Sequence, residues 1–441
     1  MKKISTEELY SKYIQHPIVC TDTRSIKKDS LFFALKGDSF NGNTFAGKAI
    51  ELGSSYAIID EEKYCVSDKF LLVDDVLTAL QELSKYYRKQ LSIPIIGITG
   101  SNGKTTTKEL VSSVLSKKYK TYYTQGNLNN HIGVSLTLLS IPNDCEIAVV
   151  EMGANHQNEI EFLCSLSRPN YVIITNIGRA HLEGFGGIKG VIKGKNELYQ
   201  YAAKNGSLAF VNNNNDLLSA LSNKLQKITY GTRIDSNCYG KLLEANPVMK
   251  FSYLYNKEDV DFTSAPIITS HLMGEYNFEN ILCAVCVGNY FNVAAEKIIE
   301  GIESYVPSNN RSQLIQKGTN TVLMDAYNAN PSSMKAALEN FWLIDTPNKI
   351  LVLGDMLELG EDSHKEHKHI IELIQQKGFA NFILVGKEFI DAGDGKIDNT
   401  TFEDSKKAAK YVMKKKFTND YILIKGSRGI KMEKVLEALP D

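Results

Sequence analysis

The sequence predicts a three-domain α/β protein built on mostly parallel sheets. Three observations carry this reading. Short apolar runs ending in polar residues alternate with stretches of helical spacing along the chain, the pattern of strands joined by crossover helices. One run, Ile95-Ile96-Gly97-Ile98, leads through a glycine loop into a helix marked by Leu110, Val111, Val114 and Leu115. Two breaks, at Ile93-Pro94 and Val306-Pro307-Ser308-Asn309-Asn310-Arg311, divide the chain into residues 1–91, 92–307 and 308–441. The expected parts are a small N-terminal α/β domain, a central P-loop ATPase-like domain with a parallel sheet, and a C-terminal Rossmann-like domain.

In the first segment, Leu31–Leu35, Tyr56–Ile59 and Phe70–Val73 read as strands, with helices near Phe45–Leu52 and Val76–Gln90. Thr21-Asp22-Thr23-Arg24-Ser25 precedes the first strand and Lys36-Gly37-Asp38 follows it. Such strand-end loops hold ligands in α/β sheets, and ordinary turn chemistry explains them equally well.

The second segment opens on Gly97-x-x-Gly100-x-x-Gly103-Lys104-Thr105. Glycines let backbone N–H groups close around phosphate oxygens, and the helix start adds partial positive charge. Lys104 is then expected to reach the β- and γ-phosphates, and Thr105 to offer its hydroxyl to Mg²⁺. The spacing is a variant, because the common phosphate loop has its first glycine where Ile98 stands. The competing reading is a glycine-rich turn with a surface lysine. Thr124–Gly133 is dense in side-chain donors and acceptors, and Ile147–Val150 is a buried-strand run ending in Glu151. A carboxylate there suits a Mg²⁺ ligand or an organiser of water. After Tyr171–Thr175, His181 lies in a loop with Gly178, Gly184, Gly186 and Gly187, which favours a site role. Lys193 and Lys195 open a helix, where lysines normally form a solvated face. Residues 229–270 read as irregular strands, and Asn277 and Asn280 share one helix face.

The third segment has apolar runs at Thr321–Met324, Ile350–Leu353, Phe382–Val385 and Tyr421–Ile424, which suggest a doubly wound domain. Asp325, Asn328, Asn330, Asp355, Lys425 and Arg428 cluster at the strand ends, the ligand edge of such a sheet. His364, His367 and His369 stand among Glu361, Asp362, Lys365, Glu366 and Lys368, and read as a charged helix surface rather than metal ligands.

Composition narrows the classes. Net charge is −1, so nothing electrostatic favours nucleic acid. No apolar run approaches the ~20 residues of a membrane span, and no apolar core follows Lys2 and Lys3 to make a signal peptide. Seven scattered cysteines suit a reducing cytoplasm, and Cys283-x-x-Cys286, inside an apolar helical pattern, reads as core packing.

Together, the glycine loop through Thr106, Asn127-Leu128-Asn129-Asn130-x-Ile132-Gly133, Glu151-Met152-Gly153-Ala154-Asn155-His156, Ala180–Phe185 and Asp325-Ala326-Tyr327-Asn328-Ala329-Asn330-Pro331 resemble the Mur ligases, in order and across all three segments. Gly354-Asp355-Met356-x-Glu358-Leu359-Gly360 and Lys425-Gly426-Ser427-Arg428 fit the branch that adds a dipeptide. The loop alone marks only the wider family, which includes folylpolyglutamate synthetase.

The resemblance implies an ADP-forming amide ligase of peptidoglycan precursor synthesis. ATP would phosphorylate the terminal carboxylate of UDP-N-acetylmuramoyl-tripeptide. The amine of D-alanyl-D-alanine would attack the acyl phosphate, and the tetrahedral intermediate would collapse to amide, ADP and phosphate. Lys104, Glu151, His181 and Lys195 take the catalytic roles by this resemblance. Thr105 and Glu151 would hold one Mg²⁺, and His181 a second together with Lys195 carbamylated by CO₂, Lys193 being the rival in register. Gly100, Ser101, Asn102, Gly103, Lys104, Thr105 and Thr106 would cradle the phosphates, with Asn280 at adenine, Arg311 at the γ-phosphate and Asp325 at the ribose. Thr23, Arg24 and Lys36 are the candidates for the uridine diphosphate end, and Asn127, Asn130, Tyr327, Asn328 and Asn330 for the substrate cleft. The implied protein is a cytoplasmic monomer whose site lies between domains two and three, open without ligands and closing before chemistry. The competing readings are a sister ligase, an ATP-driven switch and a degenerate scaffold. Asp325–Pro331 argues against the first, and the intact Lys104, Glu151, His181 and Lys195 against the last.

Overall fold

The computed structural model describes residues 2–246, 248–256, 261–394 and 400–441. Among them the chain folds around three main sheets. The first has four parallel strands in the order Val19–Cys20, Leu31–Phe33, Tyr56–Ile59, Phe70–Leu72. A helix, Thr6–Gln15, precedes it, closed by a capping box in which Ser5 and Glu8 satisfy each other's backbone N–H. The Ser5-x-x-Glu8 spacing before Leu9 and Tyr13 was the readable signal for this helix, which the periodicity reading passed over. The helix Val76–Gln90, started by the Asp75 side chain on the Thr78 N–H, packs against the next domain. Its Arg88 donates to the carbonyls of Ser167 (2.7 Å), Leu91 (3.0 Å) and Arg168 (3.0 Å), which locks the first segment to the second.

The central sheet has nine strands. Seven are parallel, ordered Cys238–Glu244, Lys227–Gly231, Leu208–Asn212, Tyr171–Ile174, Ile95–Thr99, Ile147–Glu151, Thr121–Tyr123. Met249–Tyr255 and Ile268–Ser270 extend it antiparallel. The described residues of the stretch read as irregular strands thus form regular strands that continue the sheet; an antiparallel edge needs less apolar sequence than a buried parallel strand, so its signal is weaker. Cys238, Cys283 and Cys286 are buried beneath it, as core packing requires.

The C-terminal sheet runs Gln313–Lys317, Asn320–Asp325, Tyr421–Lys425, Lys349–Gly354, Asn381–Val385, Thr401–Phe402, parallel except for its first pair. All four apolar runs became its inner strands, and the two polar edge strands went unread. One expectation fails here. His367 is fully buried, not on a charged helix surface. Its Nε2 accepts the Met356 N–H at 3.0 Å and its Nδ1 meets the Ser363 carbonyl at 2.8 Å, so the ring ties the helix Ser363–Gln376 to the loop after Gly354. Among the described residues no three His, Cys, Asp or Glu side chains converge as a metal cluster.

Candidate active site

Ile95–Thr99 lies between Tyr171–Ile174 and Ile147–Glu151, and the three strands are parallel. Their C-terminal ends share one edge, so the loops beyond them meet. The phosphate-type loop occupies Gly100–Gly103. Gly100 and Gly103 have φ of 148° and 76°, and a Cβ on Gly103 would stand 2.7 Å from Asn280 Oδ1. Gly97 serves packing instead: it sits inside the strand, where a Cβ would meet Met152 Cε at 2.5 Å. The loop is pinned to its neighbour by Ser101 N–H on the Asn176 carbonyl (2.9 Å) and Asn102 N–H on Asn176 Oδ1 (3.0 Å). The helix Lys104–Leu115 starts at Gly103.

Lys104 Nζ donates to the carbonyls of Gly100 (2.7 Å) and Ser101 (3.2 Å). Burial holds its ammonium below the usual lysine range; Arg311 adds to this and Glu151 opposes it. Glu151, at 1% exposure, accepts from Thr105 Oγ1 (2.9 Å) and Asn129 Nδ2 (2.8 Å). Lys108 Nζ lies 3.7 Å from the same carboxylate and donates to the Thr124 carbonyl at 2.7 Å. Lys108 was missed in the sequence, although it follows Lys104 by four residues and so shares its helix face.

Of the two rival lysines, Lys193 is exposed and Lys195 is buried at 1% exposure behind Ala154, whose carbonyl accepts from Nζ at 3.2 Å. Burial and the Lys104 ammonium push Lys195 far below the usual lysine range, against the pull of Glu159 and Glu197. His181 has φ 53° and bonds through Nδ1 to the Glu358 carboxylate, which reaches it from the C-terminal sheet.

From that sheet, Asp325 accepts from Lys425 Nζ (2.5 Å) and the Ser312 N–H (3.1 Å). The Arg311 guanidinium lies 3.6 Å above the Tyr327 ring. Asn330 caps the helix Pro331–Leu343 and donates from Nδ2 to Asn102 Oδ1 at 2.7 Å. Arg179 pairs with Glu366 at 2.8 Å across the same seam. The two halves thus touch directly.

The resulting cleft encloses about 1170 Å³. Ser101, Asn102, Gly103, Lys104, Thr105, Thr106, Asn127, Asn130, Glu151, His181, Asn280, Arg311, Asp325, Tyr327, Asn328 and Asn330 line it, and Lys195 stands behind its wall. Thr23, Arg24 and Lys36 do not line it: Arg24 pairs with Asp22 (2.6 Å), and Lys36 with Asp60 (2.8 Å) and Glu61 (3.2 Å). The first segment contributes Gln81 instead, a helix residue with no motif around it. Asp355 and Arg428 also stand outside the cleft. Asp355 caps the helix Lys387–Ala392, accepting the N–H groups of Glu388 (3.1 Å) and Phe389 (3.0 Å).

The Thr105 hydroxyl and Glu151 carboxylate are hard oxygen donors of the kind Mg²⁺ takes. A site with so few protein ligands fits a cation that completes its shell with phosphate oxygens and water.

Comparison with known proteins agrees with this geometry. Residues 98–288 match the Mur ligase middle domain, and residues 310–428 the Mur ligase, glutamate ligase domain. The UDP-N-acetylmuramoyl-tripeptide--D-alanyl-D-alanine ligase of Bacillus subtilis (strain 168) is 34% identical, covering 96% of this chain and 92% of the relative. The enzyme of that name from Escherichia coli (strain K12) is 33% identical, covering 98% of this chain and 96% of the relative. Among solved structures, MurF from Acinetobacter baumannii superposes with a TM-score of 0.84 at 30% identity, over 96% of this chain and 92% of that one. MurF ligase from Thermotoga maritima in complex with ADP gives 0.82 at 25% identity, over 96% of both chains. With two family domains in register around this cleft and relatives matched over nearly their whole length, the chain belongs to the Mur ligase family.

Proposed function

We propose that this chain is the ATP-dependent, ADP-forming ligase that joins D-alanyl-D-alanine to UDP-N-acetylmuramoyl-tripeptide in peptidoglycan precursor synthesis. The observation that carries the reading is the gathering of Lys104, Thr105, Glu151, His181 and, behind the wall, Lys195 on the central side of one cleft, with Arg311 and Asp325 facing them. The chemistry brings a carboxylate against a triphosphate, so positive charge must screen both anions.

Lys104 is free to leave the loop carbonyls for the β- and γ-phosphates as ATP settles on Gly100–Thr106. Arg311 adds charge at the γ-phosphate, Asp325 binds the ribose and Asn280 hydrogen-bonds the adenine. Thr105 and Glu151 hold Mg²⁺, which neutralises phosphate charge when bound. The tripeptide carboxylate attacks the γ-phosphorus with ADP leaving, and the dipeptide amine then displaces phosphate from the acyl phosphate. Asn127, Asn130, Asn328 and Asn330 line the path of the peptide substrates.

Lys195 meets the requirement for carbamylation. Its burial and the Lys104 charge favour the free amine, the form that adds CO₂ and releases one proton to give the carbamate. His181 and that carbamate would hold a second Mg²⁺. Residues 1–91, 92–307 and 308–441 would bind the uridine diphosphate end, ATP and the incoming amine, respectively. Thr23, Arg24 and Lys36 are the proposed contacts to the diphosphate, and release of Arg24 from Asp22 would free its fork for phosphate. The reaction is assigned to a single chain, since all three segments of one chain line the cleft, and to the cytoplasm, which the seven free cysteines suit.

The test is phosphate release with ATP and Mg²⁺ as the tripeptide nucleotide and D-Ala-D-Ala are added singly and together. Release that needs both, with a pentapeptide product, is expected. Release with neither would make the chain an ATPase switch. Release with the tripeptide nucleotide and another amine would make it a sister ligase.

A further inference from the structure

We propose that Glu358 is a positioning residue that orients His181 for cation binding, so that the second cation site is assembled only when the C-terminal domain docks. The inference rests on the ligase reading above. His181 directly precedes the short helix Leu182–Phe185 of the central domain, and Glu358 lies in the loop after the strand Lys349–Gly354. The two residues are 177 positions apart and bonded, His181 Nδ1 to Glu358 Oε2.

The contact is built rather than incidental. His181 and Glu358 both hold the left-handed backbone conformation, with φ of 53° and 65°. Such a conformation costs a non-glycine residue and persists where its surroundings impose it. Around Glu358 they do: the Met356 N–H donates to His367 Nε2 (3.0 Å) and the Leu357 N–H to Ser427 Oγ (2.9 Å). The Glu183 N–H points at the Glu358 carbonyl at 3.5 Å. Gly360 packs so closely that a Cβ there would stand 3.2 Å from the Glu183 side chain. Buried His367 thus holds the loop whose next residues carry the carboxylate to His181.

The chemistry follows from donor and acceptor inventory. An ionised carboxylate only accepts, so Nδ1 is the donor of this pair, and in the neutral ring that tautomer leaves the Nε2 lone pair for a cation. A carboxylate behind an imidazole fixes the ring and raises the basicity of the ligating nitrogen. Here the supporting carboxylate belongs to the other domain. If that domain swings away, His181 loses its orientation along with the Arg179–Glu366 and Asn330–Asn102 contacts.

The test compares Glu358→Ala and Glu358→Gln in the full chain. Mn²⁺ is the probe, titrated by electron paramagnetic resonance with ADP present, and kcat and KM are measured for ATP and each peptide substrate. Glu358→Ala is expected to weaken the second Mn²⁺ site by about 10–100-fold and to lower kcat to a similar degree, with KM for ATP and dipeptide within about twofold. Glu358→Gln still accepts from Nδ1 and should lie nearer the wild type. Unchanged Mn²⁺ affinity in Glu358→Ala would overturn the proposal. So would a selective rise in dipeptide KM, or equal losses in the two variants. A wild-type chain that binds Mn²⁺ as described but forms no pentapeptide would sink the ligase reading and leave the Glu358–His181 assignment standing.

Discussion

Two carboxylates end buried parallel strands in the two sheets that face each other across the cleft, and they have opposite fates. Glu151 closes the strand Ile147–Glu151 and Asp355 follows Lys349–Gly354; both are almost fully buried. Glu151 faces side chains that suit an anion: the Thr105 hydroxyl, the Asn129 amide and, at 3.7 Å, the Lys108 ammonium. Asp355 accepts from two backbone N–H groups and has no lysine or arginine partner among the described residues, and burial pushes its carboxyl up to about 6. The first is placed to hold charge against the cleft, whereas the second is a helix cap inside the domain. A strand-end acid marks the ligand edge of a sheet, but its neighbours across the fold decide whether it meets a ligand.

The largest expected effect tests the side that does chemistry. Lys195→Ala and Glu151→Gln should each lower ligation at least about 100-fold while thermal unfolding stays near the wild type, because each removes an anionic group, the proposed carbamate or the carboxylate, that would hold the Mg²⁺ screening the phosphates. Asp355→Asn should leave kcat within about threefold. Equal losses in Glu151→Gln and Asp355→Asn would erase the contrast.

Next comes pH. Asp355 titrates at about 6 in the folded chain against 3.8 when unfolded. Between those values the folded state keeps a proton that the unfolded state has released, so stability falls as pH rises from about 4 to 6. The loss is about 3 kcal/mol for two pKa units. Urea midpoints of wild type and Asp355→Asn at pH 4, 5, 6 and 7 should diverge by that amount, with the wild type losing ground. A constant gap would contradict the account.

Lys108 sharpens the Glu151 side. Its ammonium competes with any cation for that carboxylate, so Lys108→Met should tighten Mg²⁺ on the order of tenfold in a calorimetric titration. Weaker Mg²⁺ binding would show that Lys108 positions Glu151 rather than opposing the cation. The smallest effect is expected far from both acids. Arg24 is exposed and already paired with Asp22, so Arg24→Ala should raise KM for the uridine nucleotide only about threefold and leave kcat unchanged.

Most strands were legible because buried parallel strands are continuous apolar runs. Ile95–Thr99, Ile147–Glu151 and Tyr421–Lys425 announce themselves without any partner. Polar edge strands such as Gln313–Lys317 carry only weak alternation and were not readable, and the extension Met249–Tyr255 could be read only as irregular strand. Lys104, Thr105 and Glu151 could be read from position alone, since a glycine loop between strand and helix, or an acid at a strand end, has a physical address. Glu358 could not be read so, and the spacing of Lys108 from Lys104 gives its helix face but not its partner, because both roles depend on what stands opposite.

The sequence by itself determined the order of strands and helices, the phosphate-type loop and the carboxylate beside it, because local spacing and backbone sterics suffice for these. The tertiary structure alone decided that Lys195 rather than Lys193 is buried, that His367 is a strut inside the fold, that Asp355 caps a helix, and that Glu358 meets His181 from another domain. Burial and partnership between residues far apart in the chain are properties of packing, and no local pattern encodes them.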